Sequence, residues 1–229
     1  LPVRPGTDAA LIQGMLKAVV DNEWYDEAFV LAHTSCPYLV DRDTGKSYRS
    51  AEVMAPNPAV VSAEPVGAPM VWDTVTGAPV LYDSANAIPA LEGEWTVDGK
   101  HLVTEFTLIK EWLDTLTLEW AAETSGIDQQ TIVNLADRYA NNGPAIIDIG
   151  LGGADKYTNA DVLGHSTAML VALTGQYGKK GAGYGSYCGL GANDPSATFN
   201  YWVLPEEYHY GDPSLCTICP IRRTASMRP

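Results

Sequence analysis

An α/β fold is predicted by three features of this sequence. Apolar stripes recur at helical spacing, a short apolar strand runs into glycines and then a helix, and a middle stretch loses the helical spacing altogether. The first stripe is Leu11, Met15, Leu16 and Val19, which predicts a helix over about 9–22 with Thr7 or Asp8 as its cap. The chain enters that helix through an extended Pro2–Pro5 segment and a tight Gly6-Thr7-Asp8 turn, where Gly6 lets another molecule approach closely. A short second helix over 26–34 buries Phe29 and Val30, and Cys36–Val40 reads as extended.

From 41 to about 104 Pro and Gly become frequent and β-like runs replace the stripes: Met70–Trp72, Pro79–Tyr82 and Glu94–Val97. Asp73–Gly77 reads as a turn, and Asp98-Gly99 carries a hairpin signal. A disordered linker would lack aromatics to bury. Trp72, Tyr82 and Trp95, which need burial, therefore predict an insertion of small hairpins on a surface.

Helical spacing returns over 105–116, 118–124 and 129–141, the last capped by Asp128 and stopped by Asn142-Gly143-Pro144. Ala145–Ile149 follows as a buried strand that ends in Gly150, Gly152 and Gly153, before a helix over about 160–174. Strand, glycine turn and helix in that order place ligands at the carboxyl end of a parallel strand. The glycine spacing does not match G-x-G-x-x-G and no acidic residue closes a second strand, so an ordinary NAD site is rejected. A lone strand would expose an edge and an apolar face. Ala145–Ile149 is therefore expected to join the preceding domain's sheet or to pair with another copy of the chain. Glycine density over 175–193, with Lys179, Lys180, Tyr184 and Tyr187 interleaved, favours a wrapped ligand or partner over a bare linker.

With 46% hydrophobic and 18% charged residues the composition is that of a soluble globular protein, and no apolar run approaches the length that spans a bilayer. A net charge of −14 without a Lys/Arg cluster excludes binding along a nucleic-acid backbone. Cys216-x-x-Cys219 stands alone, which favours free thiols or a local disulfide over a metal site. The four histidines follow no ligand spacing, and neither a G-x-S-x-G nor another nucleophile arrangement is present.

The opening Pro2-Val3-Arg4-Pro5-Gly6-Thr7-Asp8-Ala9-Ala10-Leu11 resembles the P-x-R-x-G-T-D-x-A-L segment of molybdopterin oxidoreductases, the dimethyl sulfoxide reductase family. Tyr25–Val30, then Ser125–Ala140, then Leu173–Gly183 resemble further segments of that family, in family order across about 1–195. Lys180 and Ala182 depart from the Pro and Gly frequent there. The resemblance implies a Rossmann-like three-layer dinucleotide-binding domain over 1–142, with the hairpin insertion inside it. It implies part of a second α/β domain over 143–195, and 196–229 is left as an irregular tail. It further implies a molybdopterin guanine dinucleotide cofactor carrying molybdenum or tungsten.

On that resemblance Gly6, Thr7 and Asp8 match the turn against the guanine end of one dinucleotide. Asp8 is able to accept the ring N–H and exocyclic amine as a pair, or simply to cap its helix. Gly150, Gly152 and Gly153 match a turn near the other dinucleotide, and the segment holding Gly175 and Gly178 matches the part close to the pterin. Lys179 and Lys180 form a solvated turn or meet a cofactor phosphate. The iron–sulfur motif and the molybdenum ligand are expected before Leu1, so the chain is expected to be a central piece of a catalytic polypeptide, inactive alone. Its expected partners are the rest of that polypeptide, a separate iron–sulfur electron-transfer protein and, through exposed surfaces, itself. The alternatives are a standalone cofactor-binding module and a non-enzymatic interaction domain.

Overall fold

Helix α1 (Asp8–Asp21) is the axis of assembly. Ala10, Leu11, Met15, Leu16, Ala18, Val19 and Val20 are all buried, more than the one stripe expected, and a helix apolar on several sides has to be surrounded. Helices α4 (Leu118–Ser125), α5 (Gln129–Asn141) and α6 (Ala160–Leu173) pack on it, and α3 (Glu105–Asp114) touches it as well. The computed structural model describes residues 1–53, 67–149 and 157–186, and these form a mixed α/β architecture. Among the described residues, 1–53, 67–147 and 157–185 belong to one compact unit, which holds the candidate site.

Three caps set the helix starts. Thr104, Thr117 and Asp128 each accept the backbone N–H three residues on, at 3.2, 3.0 and 2.9 Å. Helix α2 (Glu27–His33) begins the same way, with Asp26 accepting from the Phe29 N–H at 3.0 Å.

The insertion forms two antiparallel sheets. The first has the order β2 (Lys46–Ser47), β1 (Leu39–Asp41), β7 (Lys100–Thr104), β6 (Glu94–Val97), with Val40 opposite Val103 and Val97 opposite Lys100. Asp98 and Gly99 close the β6–β7 hairpin with φ of 49° and 77°, the two positive angles that a tight hairpin turn requires. The second sheet has the order β3 (Arg49–Val53), β4 (Gly67–Asp73), β5 (Ala78–Leu81), with Val71 opposite Val80. Trp72 and Trp95 stack face to face across the two sheets, centroids 4.5 Å apart and planes within 9°. Tyr82 is not buried as expected: it is 42% exposed, with its ring edge-on to Tyr38.

Asp73 ties down the loop after β4. Its carboxylate accepts from the backbone N–H of Val75, Thr76 and Ile88 and from the Thr76 hydroxyl, at 2.7–3.2 Å. The Ile88 N–H first, and then the Thr76 hydroxyl, hold its pKa down at about 2 from an ordinary 3.8. A folded-state pKa below the unfolded one gives a contribution to stability that is complete above about pH 4 and is lost as pH falls toward 2. The Val75 and Ile88 amide proton shifts should move together with a midpoint near pH 2. A midpoint near 4 would mean that the carboxylate is not held.

The strand read over 145–149 is β8 (Ile146–Ile149), and its partner differs from both expectations. It pairs with β9 (Gly183–Ser186), a strand formed by the glycine-rich stretch itself. Among the described residues no helix is long and apolar enough to cross a membrane.

Candidate functional site

Arg4 fixes the approach to α1. Its guanidinium donates to the Glu123 and Thr124 carbonyls at 2.8 and 2.9 Å, and its own N–H donates to Ser125 O at 2.9 Å, so a cation sits on the negative end of α4. From there the chain turns over Pro5-Gly6, with the Thr7 N–H donating back to Arg4 O at 3.2 Å. Pro in the second place and Gly6 at φ +80° in the third match a type II turn.

Thr7 occupies the cap position, yet its hydroxyl donates to Arg4 O at 2.6 Å and caps nothing. Asp8 is the first residue of the helix, so the expectation that it caps α1 is corrected. Among the described residues its carboxylate has neither a hydrogen bond nor an ion pair, although it stands where a helix favours an anion.

The ring of Tyr157 lies over this turn, so the close approach that Gly6 was expected to offer another molecule is taken by a side chain of the same chain. A Cβ on Gly6 would sit 3.2 Å from the ring's Cδ1 and 3.3 Å from its Cε1. Tyr157 also opens α6, its carbonyl accepting from the Ala160 N–H at 3.2 Å. Further along, Gln13 Nε2 donates to Ser166 Oγ at 3.5 Å, and the Asp26 N–H donates to Leu173 O at 2.8 Å. Contacts in that order mean that α1 and α6 run parallel, with their N-termini at one end.

Gly175 lies at the other end. Fourteen residues of α6 separate it from the turn, about 20 Å at the helical rise. Gly175 has φ +62°, and a Cβ there would meet Asp26 Oδ2 at 2.5 Å, so the glycine makes room for the residue that caps α2. Gly178 has φ +75° with nothing within 4 Å among the described residues. Beside them is a pocket of about 560 Å³ lined by Trp24, Asp26, Asn141, Pro144, Gln176 and Lys179 among others. Lys179 pairs with Asp26 at 3.6 Å. Buried Gln176 joins three elements: its Nε2 donates to Tyr139 O at 3.4 Å and its Oε1 accepts from the Ala145 N–H at 3.2 Å. Burial pushes the Tyr139 hydroxyl up to about 12.

The structure thus brings Gly6, Thr7 and Asp8 together at one end of α6 and Gly175 and Gly178 at the other. Gly150, Gly152 and Gly153 lie outside the described residues, as does the tail over 196–229 with Cys216 and Cys219. Tyr157, Asp26 and Gln176 were not singled out from the sequence. Only Asp26 carried a signal, an acidic residue immediately before a helical run. Among the described residues no three His, Cys, Asp or Glu side chains are grouped to hold a metal ion.

No protein-family model matches the chain. Curated relatives do. A Halobacterium salinarum protein, named for the catalytic subunit of a dimethyl sulfoxide reductase, is 33% identical over 93% of this chain, which spans 26% of that protein. The alpha chain of the Dechloromonas aromatica perchlorate reductase is 30% identical over 81% of the chain, which spans 23% of it. The alpha chain of the Haloferax mediterranei respiratory nitrate reductase is 30% identical over 86%, and the chain spans 21% of it. The chain therefore spans about a quarter of the length of the curated relatives it matches. Such relatives imply a molybdenum–molybdopterin cofactor and, from their names as subunits, assemblies of more than one chain. With the opening turn, the helix that follows it and the later segments all in the family's order, the chain belongs to the dimethyl sulfoxide reductase family of molybdopterin oxidoreductases, alongside their catalytic subunits.

Proposed function

We propose that this chain is the part of a molybdenum-dependent oxidoreductase that holds the guanine end of a molybdopterin guanine dinucleotide. The observation that carries this reading is the Asp8 carboxylate, which stands without a protein partner among the described residues at the first position of α1, just after the Gly6 turn. A carboxylate free of internal hydrogen bonds keeps both oxygens for the ring N–H and exocyclic amine of guanine, a pairing that adenine does not offer. The turn therefore fits the group by the accepting chemistry of its free carboxylate. Thr7, with its hydroxyl spent on Arg4, holds the turn's shape.

In the whole enzyme the metal centre supplies two-electron redox chemistry on a small substrate. The contribution of this chain is to bind and orient, and it is not catalytic alone. Gly150, Gly152 and Gly153 leave room for a second dinucleotide, and Gly175 and Gly178 for the pterin side. The division at 142/143 and the Rossmann-like three-layer domain belong to this proposal. Ile146, 62% exposed on a two-stranded sheet, supports a larger sheet completed by the rest of the polypeptide. An iron–sulfur cluster elsewhere in the same polypeptide and a separate electron-transfer partner complete the proposed enzyme.

The test is nucleotide preference. The cofactor-free full-length protein should bind GDP in preference to ADP, and Asp8→Ala should weaken GDP at least tenfold. That is the effect of losing hydrogen bonds to a charged group, about 1.5–3 kcal/mol. Equilibrium dialysis reads this directly. Equal binding of GDP and ADP by the unaltered protein would remove Asp8 from a guanine-reading role.

A further inference from the structure

We infer that Tyr157 is the stacking residue for the base that Asp8 reads, an inference that rests on the guanine reading given above. Tyr157 is a large aromatic with 49% of its surface exposed. Its ring shows no stacking with another aromatic, and its hydroxyl has no hydrogen-bond partner among the described residues. Packing inside the fold thus leaves that exposure unexplained.

Its position is set by the turn. A Cβ on Gly6 would lie 3.2–3.5 Å from three atoms of the ring, so one side of the tyrosine rests on Gly6 and is covered by backbone. Glycine at this place serves the turn, through its φ of +80°, and also the close approach of the ring. Asp8 follows two residues along the chain from Gly6, so the ring and the carboxylate belong to the same turn.

A base held only at its edge by one carboxylate is free to rock about that edge. An aromatic surface alongside fixes its plane. The two contacts also divide the work. Stacking is tolerant of base identity because every base has a π-face. Edge hydrogen bonds distinguish guanine from adenine. Tyr157 therefore supplies affinity, and Asp8 supplies the choice of base.

That division separates the two proposals experimentally. With GDP and ADP as probes of the cofactor-free full-length protein, Tyr157→Ala should weaken both nucleotides by the same factor of about ten, leaving the preference unchanged. Tyr157→Phe should bind both within twofold of the unaltered protein. Asp8→Ala should collapse the preference. Thermal melts control for folding: Tyr157→Phe should melt with the unaltered protein, and Tyr157→Ala, which loses a half-exposed ring, within a few degrees of it. If Tyr157→Ala binds GDP within twofold while Asp8→Ala collapses the preference, stacking is overturned and the guanine reading stands. If Tyr157→Phe is as weak as Tyr157→Ala, the hydroxyl is the contact and stacking is again overturned. If the unaltered protein shows no preference, the guanine reading fails and the role of Tyr157 fails with it.

Discussion

Phe106→Ala is expected to lower the unfolding free energy by about 3–5 kcal/mol, the range for truncating a fully buried aromatic. Phe106 is 0% exposed in the first turn of α3. Its N–H donates to Cys36 O at 2.9 Å, and its ring meets Tyr25 edge-on with centroids 5.1 Å apart. Those contacts join three parts of the fold: the segment leaving α2, the loop leaving α1, and the end of β7 where Thr104 caps α3. Truncation would leave a cavity where the sheet and the helical core meet, and neither side could collapse into it without shifting the other. Since a domain holds about 5–15 kcal/mol in total, the variant should be marginal. Urea titration should show a lower midpoint with an unchanged slope. A loss under about 1 kcal/mol would show that the junction relaxes freely.

Much of this architecture was legible in the sequence because local chemistry decides it. The helix read over 129–141 matches α5, since a capping Asp128 and a Gly143-Pro144 stop mark both ends. The strand read over 94–97 is β6, and the Asp98-Gly99 turn that follows it forms as expected. Strands β2 and β3 were not read, because two or five residues with mixed polarity carry no period. Strand β9 hid in its glycines. What makes it a strand is pairing with β8, a contact that local propensity does not encode. The site divides in the same way. Gly6, Thr7 and Asp8 lie in a row and could be read together, whereas Tyr157 meets Gly6 only because α1 and α6 run parallel. Even for Asp8 the sequence left a cap and a ligand contact open. The structure removes the cap, because Thr7 takes that position and the Asp8 carboxylate has no protein partner among the described residues.

Gly175→Ala is expected to cost about 2–4 kcal/mol, and the reason lies inside the protein. A side chain at φ +62° costs about 1–2 kcal/mol in the left-handed region. The added Cβ would also meet Asp26 Oδ2 at 2.5 Å and its Cβ and Cγ at 2.9 Å, so Asp26 must swing away. That movement breaks the cap on the Phe29 N–H, about 1 kcal/mol, and the 3.6 Å pair with Lys179, which adds little at an exposed site. Because both costs pass through Asp26, Gly175→Ala and Asp26→Ala should combine to less than the sum of their separate effects, and chemical denaturation of the four proteins measures the difference. Full additivity would show that the two residues act independently. It follows that a cofactor-depleted Gly175→Ala enzyme says little about cofactor contact, since its fold is already damaged. Gly178 is the sharper probe. With nothing within 4 Å among the described residues, Gly178→Ala carries the conformational cost of φ +75°, about 1–2 kcal/mol. If the cofactor packs against that backbone, the variant should fold and yet hold a smaller molar content of molybdopterin than the unaltered full-length protein. Equal content in both proteins would take Gly178 out of the site.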